Sequence, residues 1–368
     1  FTKGDDEVIA LTHTDDVDIV GGNKAMMQEI YDKCNKKWGC KEVNSDFILG
    51  VKRERKQDPK LKEDKIELTM TAFIEGLYRD FGKYCEDGDV DTPFPVKCFI
   101  SKGEREKITD EESKKFLDLG YQRLCGCLLW VARNVFCECM VGTSFLCRLM
   151  SRPNERAWKA ALHMVKWLYQ NKNRGIVFSS TGNKELIAYS DASNESDPAD
   201  GKCQSGFCIM LAGAPVVWGS NKLKHASPTG SAAHCEYMAM SHCNQSVYWL
   251  RSLLEELECD EIIEKATLVY GDNEVANGWC KEHFITIGNQ YIYNTYHWQT
   301  ELTELGIIVV EYKRSKWNLA DCFTKSLDAP SVRRLTGRLC GYVDFTVPEE
   351  NEGKRNAYIH PCLRFHKR

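Results

Sequence analysis

The chain has 368 residues, 43% hydrophobic and 28% charged, with a formal net charge of −4. That length holds two or three domains and a sizeable core, and the charge excludes any global pull toward nucleic acid, leaving local basic patches as the only route to it. No apolar run is long enough for a bilayer and no leader pattern opens the chain, which starts at Phe1 and is expected to be a piece of something longer.

Residues 7–20, EVIALTHTDDVDIV, alternate apolar and polar side chains around a double Asp, the pattern of a β-hairpin with an acidic tip. KAMMQEIYDKCNKKWG follows with helical spacing through Met27, Ile30 and Tyr31, and DFILGVKRERK reads as a strand. Residues 56–115 are polar and interrupted by Pro59, Pro93 and Pro95, so they are expected to form a helix and long connections. From Tyr121 to Gln170 the spacing is helical again, with Arg152-Pro153-Asn154 dividing it into two helices.

From Gly175 the pattern turns to strands: GIVFSS, then ELIAYSD, then a hairpin turned at Ala212–Pro215. A long helix is expected over about 231–257, a buried strand in KATLVYGDN, helices near 274–282 and 289–305, the strand GIIVVEYK, and a last helix from near Asn318. This order predicts a mixed sheet with helices packed on it. Residues 340–368 show no clear period and read as a loose tail.

The 18 cysteines are not spaced like a disulfide scaffold. Cys125, Cys127, Cys137, Cys139 and Cys147 fall inside a helical pattern, where C-x-C neighbours diverge by roughly 200° and cannot easily share a metal. Reduced cysteines acting as small core hydrophobes, in an intracellular setting, are the expectation.

Four carboxylates occupy comparable places. Asp191 ends one strand and Asp272 another, Glu236 lies in the first turns of the long helix, and Asp321 in the first turn of the closing helix. They are 45, 36 and 49 residues apart (236−191, 272−236, 321−272), so only the fold brings them together. Each alone is more often a cap for backbone N–H groups than a ligand. Together at the carboxyl edge of neighbouring parallel strands they form a hard oxygen site for Mg²⁺ or Mn²⁺. Two such ions roughly 4 Å apart activate water and stabilise the leaving oxygen of a phosphodiester. Lys222 and Lys224, with Lys313, Arg314 and Lys316, are candidate phosphate contacts, and Asn194, Asn273 and Asn318 candidate 2′-hydroxyl contacts. Trp317 either stacks on a sugar or closes the core.

The blocks ERAWKAALHMVKWLYQNKNRGIVFSS, LIAYSDAS, DGKCQSGFCIMLAGAPVVWGS, HCEYMAMS, LVYGDN and NLADCFTKSL resemble the ribonuclease H domain of copia-type retrotransposon polyproteins. YQRLCGCLLWVARNVFCECMVGTSFLCRLMS resembles the helical connection before that domain. ALTHTDDVDIVGG with DFILGVKRE resembles the end of the reverse transcriptase palm, whose hairpin carries two catalytic Asp residues, here Asp15 and Asp16. The resemblance implies an α/β chain: a partial palm over 1–58, a helical thumb or connection over 59–174, a ribonuclease H-like mixed five-stranded sheet with flanking helices over 175–339, and a flexible tail over 340–368.

It also implies the metal set Asp191, Glu236, Asp272 and Asp321, with two Mg²⁺ (Mn²⁺ as the alternative), and cleavage of the RNA strand of an RNA–DNA hybrid. The partners are that hybrid and an upstream fingers and palm segment, without a membrane, in a cytoplasmic particle or the nucleus. Departures from the family pattern are His234 in place of a Glu, Tyr291 and Tyr293 in place of a His and an Asp, and no His in the loop KRSKWN. They keep open a degenerate or domesticated copy that binds nucleic acid or acts as a scaffold without turnover. The palm's third Asp and its fingers belong upstream, so polymerase activity is not expected of this chain alone.

Overall fold

In a computed structural model, residues 2–3, 6–14, 16–42, 46–58, 63–96, 98–193, 202–227, 230–282 and 285–342 are described. The N-terminal part contains β1 (Thr2–Lys3), β2 (Asp6–His13) and β3 (Asp16–Gly21) in one antiparallel sheet, then α1 (Lys24–Trp38). Asn23 caps α1 by accepting from the Met26 N–H, and Gly39 closes it at φ 68°, where a side chain would be strained. The hairpin is as expected, and Asp18 on β3 is clamped by both guanidinium nitrogens of Arg53 at 2.7 and 3.2 Å.

Next come β4 (Phe47–Ile48), β5 (Val51–Asp58) and β6 (Glu63–Thr69), then α2 (Thr71–Phe81), α3 (Lys102–Glu106), α4 (Asp110–Asp118), α5 (Tyr121–Asn134), α6 (Met140–Cys147) and α7 (Glu155–Gln170). Two expectations need correcting here. The segment 63–69, read as a connection, is a strand whose alternating charges pair across β5, as Lys56 with Glu67 and Arg55 with Asp64. The apolar stretch 121–170 is broken twice, by a turn at 135–139 as well as at Arg152-Pro153-Asn154, and so yields three helices. Asn154 caps the last of them from its position behind the proline.

The third group is β7 (Gly175–Ser179), β8 (Ile187–Ser193), β9 (Gln204–Leu211), β10 (Ala214–Lys222), α8 (Ala232–Glu256), α9 (Asp260–Ile263), β11 (Thr267–Gly271), α10 (Glu274–Lys281), α11 (Gln299–Glu304), β12 (Ile308–Tyr312) and α12 (Ala329–Leu339). Five of these strands form a mixed sheet in the order β10-β9-β8-β11-β12, antiparallel through β8, β9 and β10 and parallel through β8, β11 and β12. Ala212 and Gly213 turn the β9–β10 hairpin with φ of 52° and 87°, the two positive values of a type I′ turn.

β7 reads with these strands in the sequence, yet it pairs antiparallel with β6 at the edge of a four-stranded sheet, β4-β5-β6-β7. Alternation reveals a strand but not its partner. The predicted helix 289–305 is only α11 after a short 3₁₀ turn at Asn294–Tyr296, because aromatic and β-branched residues fill its first half. The closing segment is a 3₁₀ turn over Leu319–Phe323 followed by α12, so Asp321 lies in a tight turn and not in an α-helix.

The five-stranded sheet is covered on both faces. α8 and α10 pack on one, through Tyr237, Met240, Cys243, Val247 and Ala276. On the other, the α5–α7 helices share one core with Ile187, Tyr189, Cys208, Met210, Phe323 and α12. β8 is accordingly buried at all seven positions, as the apolar run Leu186–Tyr189 implied for its first half, and Ser190, Asp191 and Ser193 are buried with it. The boundary drawn at residue 174/175 thus runs through the middle of a continuous core. Residues 340–342, placed with the tail, are held down: Cys340 O accepts from Val177 N at 3.0 Å, and Tyr342 Oη from Gly175 N at 2.7 Å.

Among the described residues fifteen cysteines are in no disulfide, and Cys125, Cys137 and Cys139 are fully buried, where burial raises their thiols. Cys203 and Cys235, outside the group expected to be reduced core residues, are joined by a disulfide. No helix among the described residues is long and apolar enough to cross a membrane.

Candidate active site

Parallel register builds the site. Tyr189 on β8 lies opposite Tyr270 on β11, so Asp191 and Asp272, each two residues further on, arrive side by side at the carboxyl edge. Neighbouring strands are about 4.8 Å apart, which sets the scale of their separation. Glu236, one turn into α8, leans over the same edge. Carboxylate oxygens of Asp191, Glu236 and Asp272 all lie within 4.8 Å of one another.

The three acids differ in surroundings. Asp191 is completely buried; Oδ2 accepts from the Thr324 hydroxyl, while Oδ1 has no hydrogen-bond partner. Burial pushes its carboxyl up to about 7, against the pull of Lys325 and with a further push from Asp321. Glu236 is raised well above the carboxylate range, by burial first and then by Asp191 and Asp272. Asp272 accepts from the Ser315 hydroxyl, which ties the loop after β12 to the site. A hard cation fits this donor set: it neutralises three crowded carboxylates and gives the orphaned Asp191 oxygen a partner.

Asp321 stands apart from the three. Its Oδ1 accepts from Lys325 Nζ at 2.8 Å, and the same ammonium is 3.3 Å from Asp191 Oδ2. Burial opposes the Lys325 charge, yet Asp191 and Asp321 hold its pKa above the usual lysine range.

The other expected residues divide. Lys222 lies level with Gln204, itself level with Ser193, and so belongs to the same sheet edge as Asp191; Lys224 follows it, exposed. Lys313, Arg314 and Lys316 occupy the loop that reaches Asp272, the last two exposed. Asn273 caps α10, accepting from the Val275 and Ala276 N–H groups. Asn318 is fully buried and donates to Ser190 O at 2.8 Å while accepting from Ala320 N, so it fixes the 319–323 turn and is closed to a substrate. Trp317 is buried too, with the Arg338 guanidinium 4.4 Å from its ring centre. Asp16 starts β3 on the hairpin and is exposed; Asp15 and Asn194 lie outside the described residues.

His234 donates from Nε2 to Gly288 O at 2.8 Å, and His297 Nδ1 pairs with Tyr237 Oη at 3.1 Å; both serve packing. Sequence reasoning missed Thr324, Lys325, Ser315 and Gly206. The last lies opposite Asp191, where a Cβ would come within 2.6–2.9 Å of Thr324 and Phe323. For Lys325 the four-residue spacing from Asp321 was the one hint, and it does not distinguish a partnered lysine from a solvated one.

The mixed sheet, its flanking helices and the acids at its parallel edge define a ribonuclease H-like α/β protein. No family model matches the chain. Over 338 residues, 92% of the chain, it is 23% identical to the retrovirus-related Pol polyprotein from transposon RE1 of Arabidopsis thaliana. It is 24% identical over 322 residues to that from transposon TNT 1-94 of Nicotiana tabacum. A shorter stretch of 105 residues is 30% identical to secreted RxLR effector protein 161 of Plasmopara viticola, of which it covers 72%. An RNase H1 isolated from compost by a metagenomic approach aligns with 38% of the chain and 93% of its own, at 16% identity and a TM-score of 0.27. The curated relatives that match most of the chain are retrovirus-related Pol polyproteins of plant copia-type transposons. The chain spans about a fifth of the length of these relatives, 22% and 23% of the first two.

Proposed function

We propose that the chain is the ribonuclease H-bearing part of a copia-type Pol polyprotein and hydrolyses the RNA strand of RNA–DNA hybrids with Mg²⁺. The observation that carries this reading is the convergence of Asp191, Glu236 and Asp272 at one sheet edge, with an unpartnered Asp191 oxygen among them. These three would hold the ion, which supplies activation of a water and stabilisation of the leaving oxygen. Ser315 orients the Asp272 carboxylate, and Thr324 that of Asp191. Lys222 and Lys224 on one flank and Lys313, Arg314 and Lys316 on the other are suited to the phosphates of the two strands. A two-ion site would add Asp321 to the ligands. An upstream fingers and palm segment is the partner this reading requires, and reverse transcription would put the chain inside the cell, in a cytoplasmic particle or the nucleus.

The test uses purified chain, end-labelled hybrid and Mg²⁺. Endonucleolytic cleavage is expected, with Asp272→Asn reducing it by at least about 10²-fold, as for loss of one preorganised electrostatic group. Retained hybrid binding without any cleavage would leave the scaffold reading.

A further inference from the structure

The three-acid cluster and the fourth acid are separated by a lysine, and the lysine is placed where a cation is needed. Lys325 Nζ reaches Asp191 Oδ2 at 3.3 Å and Asp321 Oδ1 at 2.8 Å, so it bridges the carboxylate at the centre of the cluster to the one outside it. The Asp191 side chain is 1% exposed and that of Asp321 14%, so this is no solvated surface pair. Two carboxylates drawn together out of water require positive charge between them. An ammonium and a second divalent ion are alternative solutions to that requirement.

Three local features hold the ammonium in place. Lys325 is tethered to the same turn as Asp321, its N–H bonded to Asp321 O at 3.2 Å. Thr324 anchors that turn to Asp191. Gly206, on the strand beside Asp191, leaves the space in which Phe323 and Thr324 lie.

We propose that Lys325 is a built-in cation that takes the place of a second divalent ion, so that the chain binds one ion through Asp191, Glu236 and Asp272 while Asp321 serves the lysine. The proposal rests on the reading of those three acids as metal ligands. Its chemical consequence is a mixed site, a mobile hard cation on one side of Asp191 and a fixed ammonium with N–H donors on the other. Lys325 is thereby a positioning residue, acting through the two acids it holds.

Counting ions without substrate tests this apart from catalysis. Titration of the metal-free chain with Mn²⁺, following the free-ion electron paramagnetic resonance signal, is expected to show one ion per wild-type chain. Lys325→Met is expected to take up two, and Lys325→Arg one. Two ions on the wild-type chain overturn the proposal while leaving the nuclease reading intact, and none overturns both. One ion without hybrid cleavage removes the nuclease reading alone. One ion on the wild type and also on a folded Lys325→Met or Lys325→Gln chain overturns the proposal as well, because the lysine then excludes no second ion.

Discussion

At Asp191, burial accompanies a position at the centre of the site. Its carboxyl titrates near 7 in the fold against an ordinary value of 3.8. In the absence of metal the folded chain therefore holds a proton between about pH 4 and 7 that the unfolded chain has released, and stability falls as pH rises through that window. A displacement of that size corresponds to at most about 4 kcal/mol. Glu236 is displaced in the same direction and adds to the slope. The melting temperature of metal-free protein is expected to drop between pH 5 and pH 8. Mg²⁺ should restore it at pH 8 far more than at pH 5, since the ion binds ionised carboxylates. A melting temperature that is flat, or that rises with pH, contradicts the assignment. Asp321 was expected in an α-helix and lies in a 3₁₀ turn, while Asp191 and Asp272 at strand ends and Glu236 at a helix start were legible. Lys325 was not, because a lysine after a turn has the look of any solvated charge until the turn is folded against a buried Asp.

At the scale of elements, the 319–325 turn and β9 are fitted to each other through Gly206. A Gly206→Ala methyl would meet Thr324 and Phe323 at 2.6–2.9 Å, partly against backbone, so the turn must move. A cost of about 1–3 kcal/mol is expected, read as a lower denaturant midpoint. Because Thr324 and Lys325 move with the turn, Mn²⁺ stoichiometry should change too, which a purely local clash would not produce.

A second element-level device joins the turn at 137–139 to the start of β7. Glu138 and Arg174 form an ion pair at 3.0 Å with both side chains 3% exposed, and Cys340 from the end of α12 closes over it. Glu138→Ala would strand the guanidinium, at about 3–5 kcal/mol. Replacing both partners by apolar residues should cost much less in a denaturation series; equal losses would show that the pair acts only through packing. None of this pairing was visible in the chain order, because β7 looked like a strand of the five-stranded sheet and Glu138 like a residue between two cysteines. Periodicity reports which face of an element is buried, and says nothing about what lies on it.

For the whole molecule, the question is whether the sheet with the acids stands alone. Its β8–β9–β10 face is covered by the helices that precede it. Trp218 on β10 donates to Ala132 O at 2.9 Å, Arg148 donates to Gln204 at the start of β9, and Gln204 passes the contact to Ser220 and on to Phe323 O in the Lys325 turn. Trp167, fully buried on α7, lies in the same core as Tyr189 and Leu335. A chain starting at residue 175 would expose Tyr189, Cys208, Met210 and Phe323 together, a patch that favours association over folding. It would also lose β6, the partner of β7. Such a truncated chain is expected to be aggregated or to give a collapsed amide spectrum. Residues 63–342 should unfold in one cooperative transition with matching circular dichroism and tryptophan fluorescence midpoints. If the truncated chain instead folds and still binds Mn²⁺, the contacts from Ala132 and Arg148 are dispensable and the sheet is an independent domain. Trp167→Ala separates the same alternatives inside the longer chain. With a shared core, its loss of about 3–5 kcal/mol should lower both midpoints together, whereas with independent units the acid site should keep its ion while the helices melt.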